Sequence, residues 1–516
     1  MESLVPSLFC LLVAVFVGVL FKRWGLTSSA LPYPPGPKPR LISGNAHDLP
    51  KAHAWLTYTR WANQYGGVYH IREYHQHIIV VNTLKDAIAL FDRRSQIYSD
   101  RPTSTMVELM GWEFNIALIP YGDKWRRHRR LFQQNFKKEA SLTYQPVQTR
   151  KIHEMLYSLL TDPEDYALHY KNLAGAIVMA TMFDKHISLA DVNRFSTAVE
   201  RAVAKLSEAF LPGAFAVNLF PFLRHIPSWL PGAGFKRLAK ECKAYTDAVR
   251  NIPFRRVKEK MASDAEVVGL AARLLEKNDE KGGQAEAEED IKEVTATAFV
   301  GGAETTVSVF GTFFYAMLVN PDIQRKAQEE LDTVIGTQRL PAYSDRGALP
   351  FLEAVFREVM RWHPVAPLGV SHATSDDDVY NGYYIPKGSV VIANIWAMTR
   401  DESIYSQPEL FRPERFLDDK GQLNDDDTVL AFGFGRRICP GRHMASATVW
   451  LTMATVLSTF NITKAKDMNG NEISVSDDYS GSLVRHKLPF ACSITPRSPE
   501  ARNLILEAQD TAHDGI

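Results

Sequence analysis

Cysteine is scarce and unpatterned: Cys10, Cys242, Cys439 and Cys492 are the only four in 516 residues. Their scatter excludes a disulfide scaffold and points to a reducing compartment. Net charge is missing too, with 59 Lys and Arg balancing 59 Asp and Glu. That removes the basic excess expected of a nucleic-acid binder. No internal repeat and no flavin or nicotinamide motif is present. Length alone suggests about three domains, while 45% hydrophobic and 23% charged residues describe an ordinary globular protein.

One long apolar run does exist. Residues 4–21 carry no charge and are closed by Lys22 and Arg23. The run is long enough to span a bilayer. Its charges follow it and no small-residue cleavage pattern is seen, which favours a retained anchor over residues 1–23, basic end cytoplasmic. Five prolines between Leu31 and Pro39 cannot continue a helix and make a stiff arm, so 24–45 is expected to be a hinge.

Further on, 55–65 has helical period, 68–71 and 78–81 read as a hairpin, and 83–91 as helix again. The 101–120 segment, with Trp112 and Phe114, lacks clean periodicity; it is either a ligand-facing loop or core. Amphipathic helix dominates from 144 to 281. It is broken at 210–235, where prolines and glycines surround Phe220, Phe222 and Trp229. That stretch suits a lid dipping into lipid, or ordinary core packing. Charged residues 277–290 are expected to form a surface loop, 291–318 a long helix, and 379–393 strands. Residues 501–516 are expected to be a loose polar tail.

The most informative stretch is Phe432-Gly433-Phe434-Gly435-Arg436-Arg437-Ile438-Cys439-Pro440-Gly441. Its glycines permit a tight turn that something flat can approach. Pro440 and Gly441 suggest that a helix starts just after the cysteine, favouring a thiolate. Arg436 and Arg437 are expected to lower the thiol pKa further and to pair with carboxylates. A buried structural cysteine is the bland alternative. Gly301-Gly302-Ala303-Glu304-Thr305-Thr306 sits mid-helix, where each glycine costs roughly 1 kcal/mol against alanine. Thr305 can bond the Gly301 carbonyl one turn back. Two glycines at a close helix crossing would explain the glycines but not the acid and alcohol beside them. Glu358 and Arg361 share a helical face, followed by Pro413-Glu414-Arg415-Phe416. Trp125 and Arg129 lie four apart within a basic run that continues to Lys137 and Lys138.

Phe432, Gly435, Arg437, Cys439 and Gly441 together resemble the haem-binding signature of cytochrome P450 monooxygenases, and the other motifs occur in that family's order across nearly the whole chain. The resemblance implies one mainly α catalytic domain with a minor β portion, over 46–500, against the length-based expectation. It implies heme b with Cys439 as axial ligand of the iron, in a loop that includes Phe432, Gly433 and Gly441. Propionates would be held by Trp125, Arg129, Arg437 and His372. Thr305 and Glu304 would be the catalytic proton-delivering pair, and Glu358, Arg361 and Arg415 a network supporting the cysteine loop. Candidate substrate-pocket residues are Trp112, Phe114, Phe299, Val300, Ala303, Leu368, Val370 and Leu483. Electrons would come from NADPH-cytochrome P450 reductase, with cytochrome b5 as a further donor, at the endoplasmic reticulum membrane. The reaction would place one oxygen atom from O2 into a lipophilic small molecule. Turns such as Pro221-Phe222-Leu223 resemble fungal secondary-metabolism members, which suggests a terpenoid, polyketide or aromatic alkaloid. A reductase-independent isomerase or dehydratase, or a non-catalytic haem sensor, are the alternatives; Glu304-Thr305 argues against the former.

Overall fold

The structure, a computed structural model, describes residues 31–210, 213–263, 265–426 and 429–514. The expected anchor lies outside these residues. The longer helices are α1 (Ala54–Tyr65), α2 (Asp123–Phe136), α3 (Gln145–Thr161), α4 (Tyr166–Met182), α5 (Leu189–Phe210), α6 (Gly234–Ala262), α7 (Leu270–Asp279), α8 (Ala285–Val319), α9 (Pro321–Val334), α10 (Pro350–Trp362), α11 (Arg442–Thr459) and α12 (Pro499–Asp514). The strands are β1 (Val68–Glu73), β2 (Gln76–Val81), β3 (His372–Ala373), β4 (Asp378–Tyr380), β5 (Tyr383–Ile385), β6 (Val390–Ala393), β7 (Phe460–Lys464) and β8 (Cys492–Pro496). The fold is therefore mainly α with a minor β portion.

The 35-residue α8 is the axis of the molecule. Among the described residues it alone is long and apolar enough to cross a membrane, but it is the core helix, clasped by α4, α6 and α7. A helix apolar on every side must be buried this way. Phe310 and Phe314 of α8 pack on Tyr170 of α4, with ring centroids 6.1 and 5.7 Å apart.

The principal sheet has the order β1-β2-β6-β3, with β2 and β6 parallel and the outer pairs antiparallel. The proline arm docks beside it. The His70 amide donates to the Pro35 carbonyl, and Tyr33 stacks on His70 at 4.9 Å. Gly36 is required there, because a Cβ would lie 1.9 Å from the His70 carbonyl oxygen.

Two expectations fail. Residues 277–290 are not one loop: α7 runs to Asp279 and α8 begins at Ala285. Acidic groups at the start of α8 suit the helix dipole, and they find cations on other helices, as in Arg127 with Asp290 at 2.6 Å and Lys258 with Glu288 at 2.6 Å. The loose tail expected over 501–516 is instead the helix α12 as far as Asp514, packed on α3 with Ile505 wholly buried. An apolar stripe, not a long hydrophobic run, holds it down.

Candidate active site

The Cys439 loop is shaped by two left-handed glycines, Gly433 (φ 74°) and Gly435 (φ 54°). At 435 a Cβ would also lie 2.1 Å from the Phe91 carbonyl oxygen, so no other residue fits. The Cys439 amide donates to the Phe432 carbonyl at 2.8 Å and closes the turn. Gly441 then caps α11. Burial pushes the Cys439 thiol up; the amides of Gly441 and Arg442 and the charges of Arg129 and Arg442 oppose it.

The expected role of Arg436 and Arg437 beside the sulfur is not what the structure has. Arg436 turns outward, donating to the Tyr121 hydroxyl at 2.9 Å. Arg437 lies over the Trp125 ring at 4.7 Å and donates to the carbonyls of Ser99, Ile116 and Ile119. Arg129 and Arg442 are the cations at the loop, donating respectively to the Ile438 carbonyl at 2.7 Å and to the Cys439 carbonyl at 3.3 Å.

Around Arg437 the structure gathers a buried cationic excess. Arg101, 6% exposed, donates to the carbonyls of Ala117, Val370 and Ser371. Burial and then Arg437 hold its pKa well below the usual range. Burial likewise lowers Arg437 to about 9, with Asp100 opposing and Arg129 adding to the shift. His372 is buried beside them, its Nδ1 2.7 Å from the Tyr98 carbonyl and its ring 4.6 Å from Phe91. Asp100 is the one carboxylate among the charges acting on this pair. Buried guanidiniums without matching anions fit a dianionic group, as the propionates of a haem are. Arg101 was not foreseen from the sequence, since its segment has neither helical nor strand period.

The two glycines of α8 have different surroundings. A Cβ on Gly302 would lie 2.6 Å from Val178 of α4, whereas one on Gly301 would meet nothing within 4 Å. Gly302 therefore permits a helix crossing, and Gly301 leaves an open face. The Thr305 hydroxyl donates to the Gly301 carbonyl at 2.5 Å. Glu304 does not point along with it: its Oε1 lies 2.8 Å from His486 Nε2. His486, on the loop between β7 and β8, carried no motif in the sequence.

Glu358 of α10 is wholly buried and fully engaged. Arg361 reaches it through Nε at 2.6 Å and Nη2 at 2.8 Å, Arg415 through Nε at 3.2 Å, and the Arg412 amide at 2.7 Å. Arg361 also donates to the Thr399 and Pro408 carbonyls.

The pocket candidates divide. Leu368 and Leu483 line one cavity of about 30 Å³, and Val370 lines another of about 100 Å³. Trp112 and Phe114 instead stack on each other at 5.7 Å, and Phe299 meets Phe183 edge-on. Those three, with Val300 and Ala303, are buried and line neither cavity. The basic run is also partly turned inward. Lys124 and His128 reach Glu293, and Arg127 and His128 reach Asp290.

A mainly helical fold around an axial glycine-bearing helix thus carries a cysteine turn beside cations that lack matching anions. The chain belongs to the cytochrome P450 family: the family model of that name matches residues 34–492. It is 37% identical to cytochrome P450 monooxygenase COX1 of Coprinopsis cinerea, over 97% of this chain and 98% of that protein. It is 41% identical to cytochrome P450 monooxygenase ple1 of Rhodocybe pseudopiperita, over 92% and 91%. Cytochrome P450 monooxygenase ppsD of Aspergillus oryzae is 37% identical, over 96% and 95%. The protein is a cytochrome P450 monooxygenase, and membership implies a thiolate-ligated haem iron, a redox partner and O2.

Proposed function

We propose that this protein inserts one oxygen atom from O2 into a lipophilic small molecule, with heme b held through Cys439. The carrying observation is the set of buried Arg101 with half-buried Arg129 and Arg437 beside the Cys439 turn, with too few carboxylates of its own. Trp125 and His372 complete that cradle. When bound, haem supplies thiolate-ligated iron chemistry that activates O2. The residues of the chain then have separable tasks. Glu358 with Arg361 and Arg415 fixes the segment below the cysteine turn. Thr305 positions a proton at the open face of α8 left by Gly301, and Glu304, held by His486, replenishes it.

Electrons come from NADPH-cytochrome P450 reductase, with cytochrome b5 as a further donor, docking on the exposed cations Arg130 and Lys138. Residues 1–23 anchor the chain in the endoplasmic reticulum membrane, and 46–500 form the catalytic domain. Phe222 and Trp229, 68% and 79% exposed, touch the lipid surface. The substrate class that completes this reading is a terpenoid, polyketide or aromatic alkaloid of fungal secondary metabolism.

The test supplies purified, haem-loaded protein with the reductase and screens lipophiles for NADPH-coupled oxygen consumption and oxygenated product. Product without NADPH would favour an isomerase or dehydratase. Ligand binding without any turnover would favour a sensor.

A further inference from the structure

Glu73 ends β1 at the hairpin turn, where it pairs with Gln76. It is only 3% exposed. Among the described residues its carboxyl has no hydrogen bond and no ion pair, so it is open to a ligand entering the cavity it borders. It forms part of the wall of the 100 Å³ cavity, which Phe210, Phe215 and Leu219 also line.

Several polar groups that share this cavity are committed elsewhere, while the hydroxyls of Thr103 and Ser371 also border it. Arg101 is spent on three carbonyls. Ser104 donates to Asn218 Oδ1 at 3.0 Å, and Asn218 Nδ2 reaches the Ala209 carbonyl. Gln76 donates to the His77 and Gly388 carbonyls. Gly213, with a left-handed backbone (φ 79°), faces the carboxyl at contact distance: a Cβ there would lie 3.4 Å from Glu73 Oε1.

The rest of the wall is largely apolar, including Ile78, Val107, Leu118 and Phe215. Val370 and Ser371, just before His372, border the same space, so the cavity adjoins the cradle described above. A largely apolar chamber with a carboxyl free to accept suits a molecule that is apolar except for a donor. Burial alone raises the Glu73 carboxyl to about 7, so near neutrality the carboxyl is divided between both protonation states and a donor shifts it to the ionised one.

We infer that Glu73 and this cavity form the part of the substrate site that recognises a hydrogen-bond donor, a hydroxyl or a protonated amine, on an otherwise lipophilic substrate. The inference rests on the monooxygenase reading for the word substrate, but its test is one of binding.

The experiment uses the full-length, haem-loaded protein and three probes of one skeleton: cyclododecanol, cyclododecylamine and cyclododecane. Calorimetric titration gives each Kd, and absorption spectra mark any amine that binds iron directly. Wild type is expected to bind the alcohol or the amine at least about tenfold more tightly than the hydrocarbon, the scale of a hydrogen bond to a charged group. Glu73→Leu is expected to erase that preference while changing the hydrocarbon by less than about twofold. Glu73→Gln separates the two donors: it keeps an acceptor for the alcohol and loses the attraction for the ammonium. Equal affinity for all three probes in wild type, or a donor preference that survives Glu73→Leu, overturns the proposal. If the leucine variant fails to load haem, Glu73→Gln decides, and an unchanged amine affinity overturns it. Absence of NADPH-dependent oxidation in wild type would count against the monooxygenase reading and leave the binding result standing.

Discussion

Glu304 and His486, 182 residues apart in the chain, meet at 2.8 Å through Oε1 and Nε2. The contact ties α8 to the loop before β8, and it holds the carboxylate one residue away from the Thr305 hydroxyl. If that hydroxyl positions protons, Thr305→Ala keeps haem and reduction but diverts electrons into hydrogen peroxide. The assisted step is expected to fall about 10²–10⁴-fold. His486→Phe, which releases Glu304, is expected to act in the same direction but less, and His486→Gln to recover most of the loss. Thr306→Ala is the control, because its side chain points about 100° around the helix. Product and peroxide per NADPH measure all four; full coupling in Thr305→Ala would make the hydroxyl a structural group.

The iron ligand has a spectroscopic test. Cys242 and Cys492 have thiols raised by burial to about 11 and about 12, and neither has a loop of amides directed at its sulfur. Cys439→Ala is therefore expected to abolish the red-shifted Soret band of the reduced carbon monoxide complex. Cys242→Ala and Cys492→Ala are expected to keep it. A thiolate spectrum persisting without Cys439 would sink the assignment.

Glu358 stands between two buried guanidiniums, with Arg361 and Arg415 side chains only 3% and 7% exposed. Glu358→Gln leaves both without a counter-charge, which typically costs about 3–5 kcal/mol. The urea midpoint of the haem-loaded protein should fall accordingly, with haem loss preceding unfolding. A loss under about 1 kcal/mol would show that the backbone carbonyls around Arg361 suffice.

Acid should loosen the proline arm. His70 and His77 are held at about 3 and about 4, first by burial, then by His77 and Arg72 on the former and by Arg72 and His75 on the latter. The folded state thus binds fewer protons than the unfolded one below pH 6.5. Their contribution is whole above pH 6.5 and is lost as pH falls toward 4 and then 3. Protection of the His70 amide, bonded to Pro35, should decline between pH 6.5 and 5 relative to its intrinsic exchange rate. The pair His70→Gln/His77→Gln should flatten that decline; a wild-type profile already flat would refute it.

The sequence made the site legible where local backbone demands and chemistry coincide. Gly433, Gly435 and Cys439 sit within seven positions, and Gly301 with Thr305 closes within one turn. What needed the folded chain were groups defined by distant partners: Arg101, whose neighbours are Arg437 and the carbonyls at 370–371, and His486. The helical start of α8 was hidden because its acids look solvated until Arg127 and Lys258 are placed opposite them. α12 was different, since Ala501, Leu504, Ile505 and Ala508 do recur with helical spacing and the signal was present but outweighed by the polar residues between. Trp112, Phe114 and Phe299 show the limit of an apolar side chain as a clue, for burial in core and in pocket look alike from sequence.

The contact between Gly302 and Val178 makes the volumes of two positions a single shared quantity. Any lineage that gains a methyl group at 302 must give up bulk at 178, or let α4 drift from α8 and shift the open face at Gly301. Relatives should therefore show these positions exchanging size, small against large, as one inherited trait, and an engineer wishing to move the Gly301 face without touching it has a handle behind the helix.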